Sequence, residues 1–220
     1  MDVETALRNR RSVRGFLPDL VPQDVIARIF RAAQLSPSNC NVQPWTSHIV
    51  QGETLKRIAE AQVQAALNDI PPEPDFFARH QFTGVHRERQ FDAAATLYGA
   101  MGIERHDRDG RDMAYRRNLA FFGAPHAVFL FFPEGLGERE AVDIGIYAQS
   151  LMLKMTEEGL ASCAQGALAL YCDLVREHLG VAPSNKLILG ISFGYEDPSH
   201  PANAARTGRA ALEENVVHHW

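Results

Sequence analysis

The chain has 220 residues, of which 45% are hydrophobic and 22% charged, with a formal net charge of −5; this suits one globular domain with a buried core and excludes a general nucleic-acid or anionic-membrane surface. No apolar run reaches the ~18 residues that cross a bilayer, and the opening MDVETALRNRRS lacks the basic-then-apolar order of a secretory leader. Cys40, Cys163 and Cys172 form no CxxC pair and no HExxH spacing occurs, which disfavours a disulfide framework or a zinc site and points to a reducing cytoplasm.

Residues 2–9 read as a short helix, acidic first and basic last, as the helix dipole favours. A second helix begins near Asp19 or Val21-Pro22, carries Val25, Ile26, Ile29, Phe30 and Ala33 at helical spacing, and must stop by Ser36-Pro37. Ser36 to Pro44 is a loop by composition, Trp45 to Val50 a strand, and Gly52 to Leu67 a helix. Pro71, Pro72 and Pro74 make residues 68–78 irregular, with Phe76-Phe77 beyond them as either a hydrophobic lid or an anchor. Residues 68–90 are accordingly open to a lid role. Helices follow at about 87–101 and 110–122, then a strand from Ala127 to Phe132. The pattern Ile144, Ala148, Leu151, Met152, Met155 sets a long helix over 138–158, stopped by Gly159. Leu160–Gly166, Leu174–Leu179 and Leu187–Phe193 read as strand, helix and strand. The tail after Gly194 has no core periodicity. No βαβ repeat and no GxGxxG after a strand is present, so the reading is one α+β domain over residues 1–220.

Three polar segments carry the chemistry. Arg10-Arg11-Ser12-Val13-Arg14 can surround a phosphate with charge-assisted bonds, although a solvated charge run has the same composition. Asn39, Asn41 and Gln43, with Ser38, each offer a donor and an acceptor, matching the edge of a flavin pyrimidine; local turn bonding uses the same residues. In the tail, Arg206 and Arg209 can close the other side of a phosphate site. An exposed tail is the alternative. Paired carboxylates or a Ser-His-Asp set that would serve as an obligate general base are not evident.

Taken together these segments resemble the nitroreductase family. The resemblance spans nearly the whole chain and rests on Arg-Arg-Ser-Val-Arg-Gly-Phe at 10–16, Ser-Pro-Ser-Asn-Cys-Asn-Val-Gln-Pro-Trp at 36–45 and Arg-Asn-Leu-Ala-Phe-Phe-Gly-Ala-Pro at 117–125, which resembles the nitrobenzoate reductase branch. Glu158-Gly159-Leu160-Ala161-Ser162-Cys163 and the Asn203…Arg209 tail extend it. It implies a small, mostly antiparallel central sheet wrapped by helices, and an intertwined homodimer with two flavin mononucleotide (FMN) sites built from both chains. The 138–158 helix would lie in the interface. The activity implied is NADH- or NADPH-dependent, ping-pong hydride transfer through FMN to a small-molecule electrophile, a nitroaromatic reduced through nitroso to hydroxylamine. Quinones, activated alkenes or halogenated aromatics are alternative acceptors, and a non-catalytic flavin-binding regulator is the alternative of a different class.

By the same resemblance, Arg10, Ser12 and Arg209 hold the phosphate, with Arg11 beside them and Arg206 assisting. Arg14 lies near the flavin N1–O2 edge. Pro37, Ser38, Asn39, Asn41 and Gln43 reach across from the partner, and Gln149 lies close to the cofactor. The Cys163-Ala164-Gln165-Gly166 turn presents backbone groups of Gln165 and Gly166 to N5, with Gln165 where the family often has Glu. Asn118 and Phe122 face the acceptor, although core packing is the alternative for Phe122. Cys163 reads as a small buried hydrophobe rather than a nucleophile.

Overall fold

A computed structural model of the chain describes residues 1–76 and 81–220. Asp2 caps helix α1 (Val3–Asn9) by accepting from the Thr5 amide at 2.8 Å, with Arg8 in the last turn. Helix α2 (Gln23–Ala33) follows and buries Ile26, Ile29 and Ala33 along one stripe. Strand β1 (Thr46–Gln51) leads directly into α3 (Gly52–Leu67). Helices α4 (Gly84–Ala100) and α5 (Arg108–Leu119) precede strand β2 (His126–Pro133). Then come α6 (Glu138–Glu157), β3 (Ala161–Gln165), α7 (Cys172–Leu179), β4 (Asn185–Gly194) and a short α8 (Leu212–Asn215).

The strands form one antiparallel sheet in the order β1-β2-β4-β3. Strand β2 is buried on both faces, which is why it reads as an unbroken apolar run. Its alternate side chains feed two cores. Ala127, Phe129 and Phe131 join Leu55 and Ile58 of α3 and Val175 of α7; Val128, Leu130 and Phe132 join α2 and α6. Each such buried side chain contributes roughly 1.5–3 kcal/mol. On the second face Trp45 stacks on Tyr147 of α6 with centroids 4.7 Å apart. The antiparallel sheet flanked by helices is the α+β architecture expected from the sequence.

Several boundaries differ from the sequence reading, each for a packing reason. Helix α4 begins three residues early, at Gly84. Helix α5 ends at Leu119 instead of continuing to 122, because Phe121 and Phe122 take left-handed backbone (φ 57° and 54°) and turn their rings into the core. The tail after Gly194 is more than a solvated end. It forms a 3₁₀ turn over Pro201–Ala204 in which Ala202 and Asn203 are buried. Phe76 stacks on Phe132 at 5.4 Å and so anchors the proline-rich excursion, while Phe77 lies outside the described residues.

Candidate functional site

The segment after α1 is stitched to the sheet edge by its backbone. The Val13 amide donates to Ser162 O at 3.0 Å and the Leu17 amide to Tyr195 O at 2.9 Å. Burial of Val13 and Phe16 alternates with the half-buried Arg10, Ser12 and Arg14, so the arginines are left on the outer side. The tail is locked onto this segment by Asn203, only 3% exposed. Its side chain accepts from the Arg14 amide at 2.7 Å and donates to Gly15 O and Asp197 O, each at 2.8 Å. Gly15 has to lack a side chain here, since a Cβ would sit 2.3 Å from His200 Cγ. Asn203 entered the sequence reading only as the first residue of the Asn203…Arg209 tail, with no role of its own. An asparagine two residues after a proline reads as an ordinary turn residue.

This crossing brings Arg206 and Arg209 to Arg10, Ser12 and Arg14 around one cavity of about 730 Å³, walled on its other side by Ala93 and Leu97 of α4. Six arginines and one glutamate line it. Arg8 pairs with that glutamate, Glu4, at 2.6 Å, and Arg11 pairs with Glu196 while donating to Asn203 O at 3.2 Å. Arg11 thus braces the segment against the strand end. Arg206 and Arg209 bond only backbone carbonyls and a threonine hydroxyl among the described residues. The four guanidiniums of Arg10, Arg14, Arg206 and Arg209, with no carboxylate partner of their own among the described residues, repel one another, and a doubly charged anion relieves that repulsion. The donor set fits a phosphate monoester.

The other proposed residues fall in two further places. Gln165 and Gly166 end β3, and the Gln165 side chain is buried: its amide donates to Asn118 O and Oδ1, both at 2.8 Å, and its carbonyl accepts from Ser192. A carboxylate at 165 would set acceptor against acceptor there, which accounts for glutamine and leaves only backbone facing outward. Ala164 and Gly166 are exposed beside it. Cys163 is 2% exposed, and burial pushes its thiol up despite the nearby Arg14 and Arg10 charges. The thiolate is therefore disfavoured. Asn118 and Phe122 line a second cavity that shares Arg14 and Leu97 with the first. Phe122 is both core and wall, with the Arg14 guanidinium 5.9 Å from its ring centroid.

The 36–44 loop stands apart from the arginine cavity and does not line it. Cys40, Asn41 and Gln43 hold positive φ (47°, 57°, 47°), a conformation non-glycine residues adopt only when held. The hold is visible: Ser38 Oγ accepts from the Gln43 amide at 2.9 Å, and buried Asp143 of α6 accepts from the Asn39 amide at 3.1 Å. Pro37, Asn39, Asn41 and Gln43 stay exposed, and Gln149 lies half-buried on α6. One subunit by itself therefore does not unite these residues with the arginines.

Residues 7–195 match the family model described as the nitroreductase family. The chain is 43% identical to nitroreductase NfnB of Mycolicibacterium smegmatis, over 97% of this chain and 91% of that protein. It is 32% identical to 4-nitrobenzoate reductase of Pseudomonas putida, over 94% and 91%. The crystal structure of FMN-dependent NfnB from Mycobacterium smegmatis in complex with NADPH superposes with a TM-score of 0.94 at 42% identity, covering 100% of both chains.

Proposed function

Because the chain belongs to the nitroreductase family of oxidoreductases, we propose that it carries electrons from NADPH through FMN to nitroaromatic acceptors, with residues 1–220 acting as one flavin-binding domain. The observation that carries this reading is the convergence of Arg10, Ser12, Arg14, Arg206 and Arg209 on a cavity adjoined, at Arg14, by an aromatic-walled one. Bound there, FMN supplies two-electron uptake and release, chemistry no side chain offers. Arg10, Ser12 and Arg209 hold the phosphate with Arg206 assisting, and Arg11, turned to Glu196, keeps the segment in place. Arg14 offsets negative charge that accumulates on reduction. The Cys163-Ala164-Gln165-Gly166 turn contributes backbone, kept rigid by the Gln165–Asn118–Ser192 bonds.

A homodimer completes the site in this reading. Pro37, Asn39, Asn41 and Gln43, exposed and pre-shaped, would come from a second copy together with the half-buried Ser38, with Gln149 alongside. Val142 and Ile146 on α6 are left exposed, at 62% and 38%, as an interface face would be. Among the described residues no helix is long and apolar enough to cross a membrane. Three free thiols suit a cytoplasmic location.

The purified protein is expected to carry flavin absorption, to bleach with NADPH under anaerobic conditions and to regain colour on adding a nitroarene. A colourless, well-folded preparation that takes up no FMN overturns the reading. Running a quinone, an activated alkene and a halogenated aromatic beside the nitroarene ranks the alternative acceptors. Cys163→Ser should retain FMN and most turnover, since the thiol is 2% exposed and its hydrogen bond to Ala164 O is long, at 3.8 Å. Loss of turnover with FMN still bound would show that the thiol takes part.

A further inference from the structure

Ser192 of β4, Gln165 at the end of β3 and Asn118 of α5 form a hydrogen-bonded chain whose donors and acceptors can be ordered in only one way. Asn118 O belongs to the last turn of α5, where backbone carbonyls lack partners within the helix. A carbonyl only accepts, so the end of Gln165 that meets it at 2.8 Å is the NH₂ and not the oxygen. That settles the rest. The second Gln165 N–H meets the Asn118 side chain at 2.8 Å and must find Oδ1 there, while Gln165 Oε1 is left to Ser192, whose hydroxyl therefore donates. Gln165 is 4% exposed and Ser192 wholly buried, so bulk water does not compete for these bonds.

With Oδ1 engaged by Gln165, the Asn118 Nδ2 is the free end of a half-buried side chain in the wall of the second cavity. An unheld amide would present Oδ1 there as readily as Nδ2. We propose that Ser192 and Gln165 are positioning residues that hold Asn118 with Nδ2 turned into this cavity, as a fixed hydrogen-bond donor to the acceptor oxygen on which negative charge builds during reduction. The proposal rests on the reductase reading above. A donor aimed in advance at developing charge favours the transition state over the bound substrate. The order of the chain can also be reversed. A carboxylate at 165 has no proton for Asn118 O, so Gln165→Glu draws the Asn118 NH₂ inward and turns Oδ1 to the cavity. Burial among acceptors raises the pKa of that carboxyl, and its protonated form again donates to Asn118.

The test follows flavin reduction by NADPH and reoxidation by nitrobenzene separately, in FMN-loaded wild type, Asn118→Asp, Ser192→Ala and Gln165→Glu. Asn118→Asp keeps an oxygen for Gln165 and puts a second where Nδ2 stood. Its reoxidation slows roughly tenfold or more, as for loss of one positioned donor, while reduction by NADPH changes little. Ser192→Ala slows reoxidation less. In Gln165→Glu the loss relative to wild type is greatest at high pH and recovers as pH falls, a profile that loosened packing would not give. Unchanged reoxidation in Asn118→Asp, a pH-independent loss in Gln165→Glu, or a loss confined to reduction by NADPH overturns the proposal. The chain is also read without flavin, by NMR. The Gln165 side-chain amide protons exchange more slowly than those of exposed Gln90, and Ser192→Ala speeds them; equal exchange overturns the fixed chain. If the protein takes up no FMN, the reductase reading fails, and this exchange still decides whether Asn118 is held.

Discussion

Arg176→Met is expected to cost about 3–5 kcal/mol of folding stability, the usual consequence of stranding one member of a buried ion pair. Arg176 is 6% exposed, and its guanidinium bonds Asp75 and Asp173, each at 2.6 Å, together with Asn185 O at 3.3 Å. Burial opposes its charge, but the bonds to Asp75 and Asp173 outweigh burial and raise its pKa. Asp75, 8% exposed at its side chain, also accepts from the Leu187 amide of β4 at 2.8 Å. Without Arg176 that carboxylate is left with a backbone donor and the distant Lys186, 3.9 Å away. The loss is read by denaturant unfolding, and a change below about 1 kcal/mol would mean that water or relaxation replaces the pair.

The same cluster makes the proline-rich excursion part of the body of the protein as far as Phe76. Glu73 N donates to Leu170 O at 3.0 Å, Tyr171 Oη to Ile70 O at 3.2 Å, and Cys172 Sγ to Glu73 O at 3.0 Å. Hydrogen exchange in 70–76 should therefore accelerate in Arg176→Met beyond the global loss. Pairing it with Asp75→Leu should recover only part of the stability, because it removes the stranded charge but leaves the buried Leu187 amide without its acceptor.

The second large effect concerns cofactor retention. Arg10→Ala combined with Arg209→Ala is expected to weaken FMN binding about 10²- to 10⁴-fold, taking each charge-assisted bond at about 1.5–3 kcal/mol. The two residues come from opposite ends of the chain and are brought together by the Asn203 crossing and the pairing beside it, so their contributions should be roughly additive unless they grip one oxygen together. The flavin-free variant should be no less stable than flavin-free wild type, because removing unpaired guanidiniums relieves repulsion. FMN should raise the melting temperature of wild type more than that of the variant, and high salt should narrow the difference. Unchanged FMN affinity would remove both residues from the phosphate. A parallel drop in flavin-free stability would instead assign them a structural role.

Much of this molecule was legible from periodicity. The helix over Gly52–Leu67 and the long helix from Glu138 follow from burial at a spacing of 3.6, the strand read from Ala127 to Phe132 from its unbroken apolar run, and Gly159 ends its helix in left-handed backbone (φ 77°). The arginine segments and the amide-rich loop were equally visible as chemistry. Their meeting was not, because it depends on pairing of residues 12–17 along the sheet and on one buried asparagine.

Local pattern also misjudged the end of α5. After Gly110 no glycine or proline interrupts it before Gly123, yet Phe121 and Phe122 leave the helix, with Phe121 packing edge-on to Phe129 at 6.0 Å. Sequence by itself determined the elements, their amphipathic faces and the kind of ligand the polar segments suit, since these follow from near neighbours and side-chain chemistry. Tertiary structure alone decided which distant charges share a cavity and which are neutralised, because Coulomb energy and desolvation depend on distance in space and not on separation along the chain.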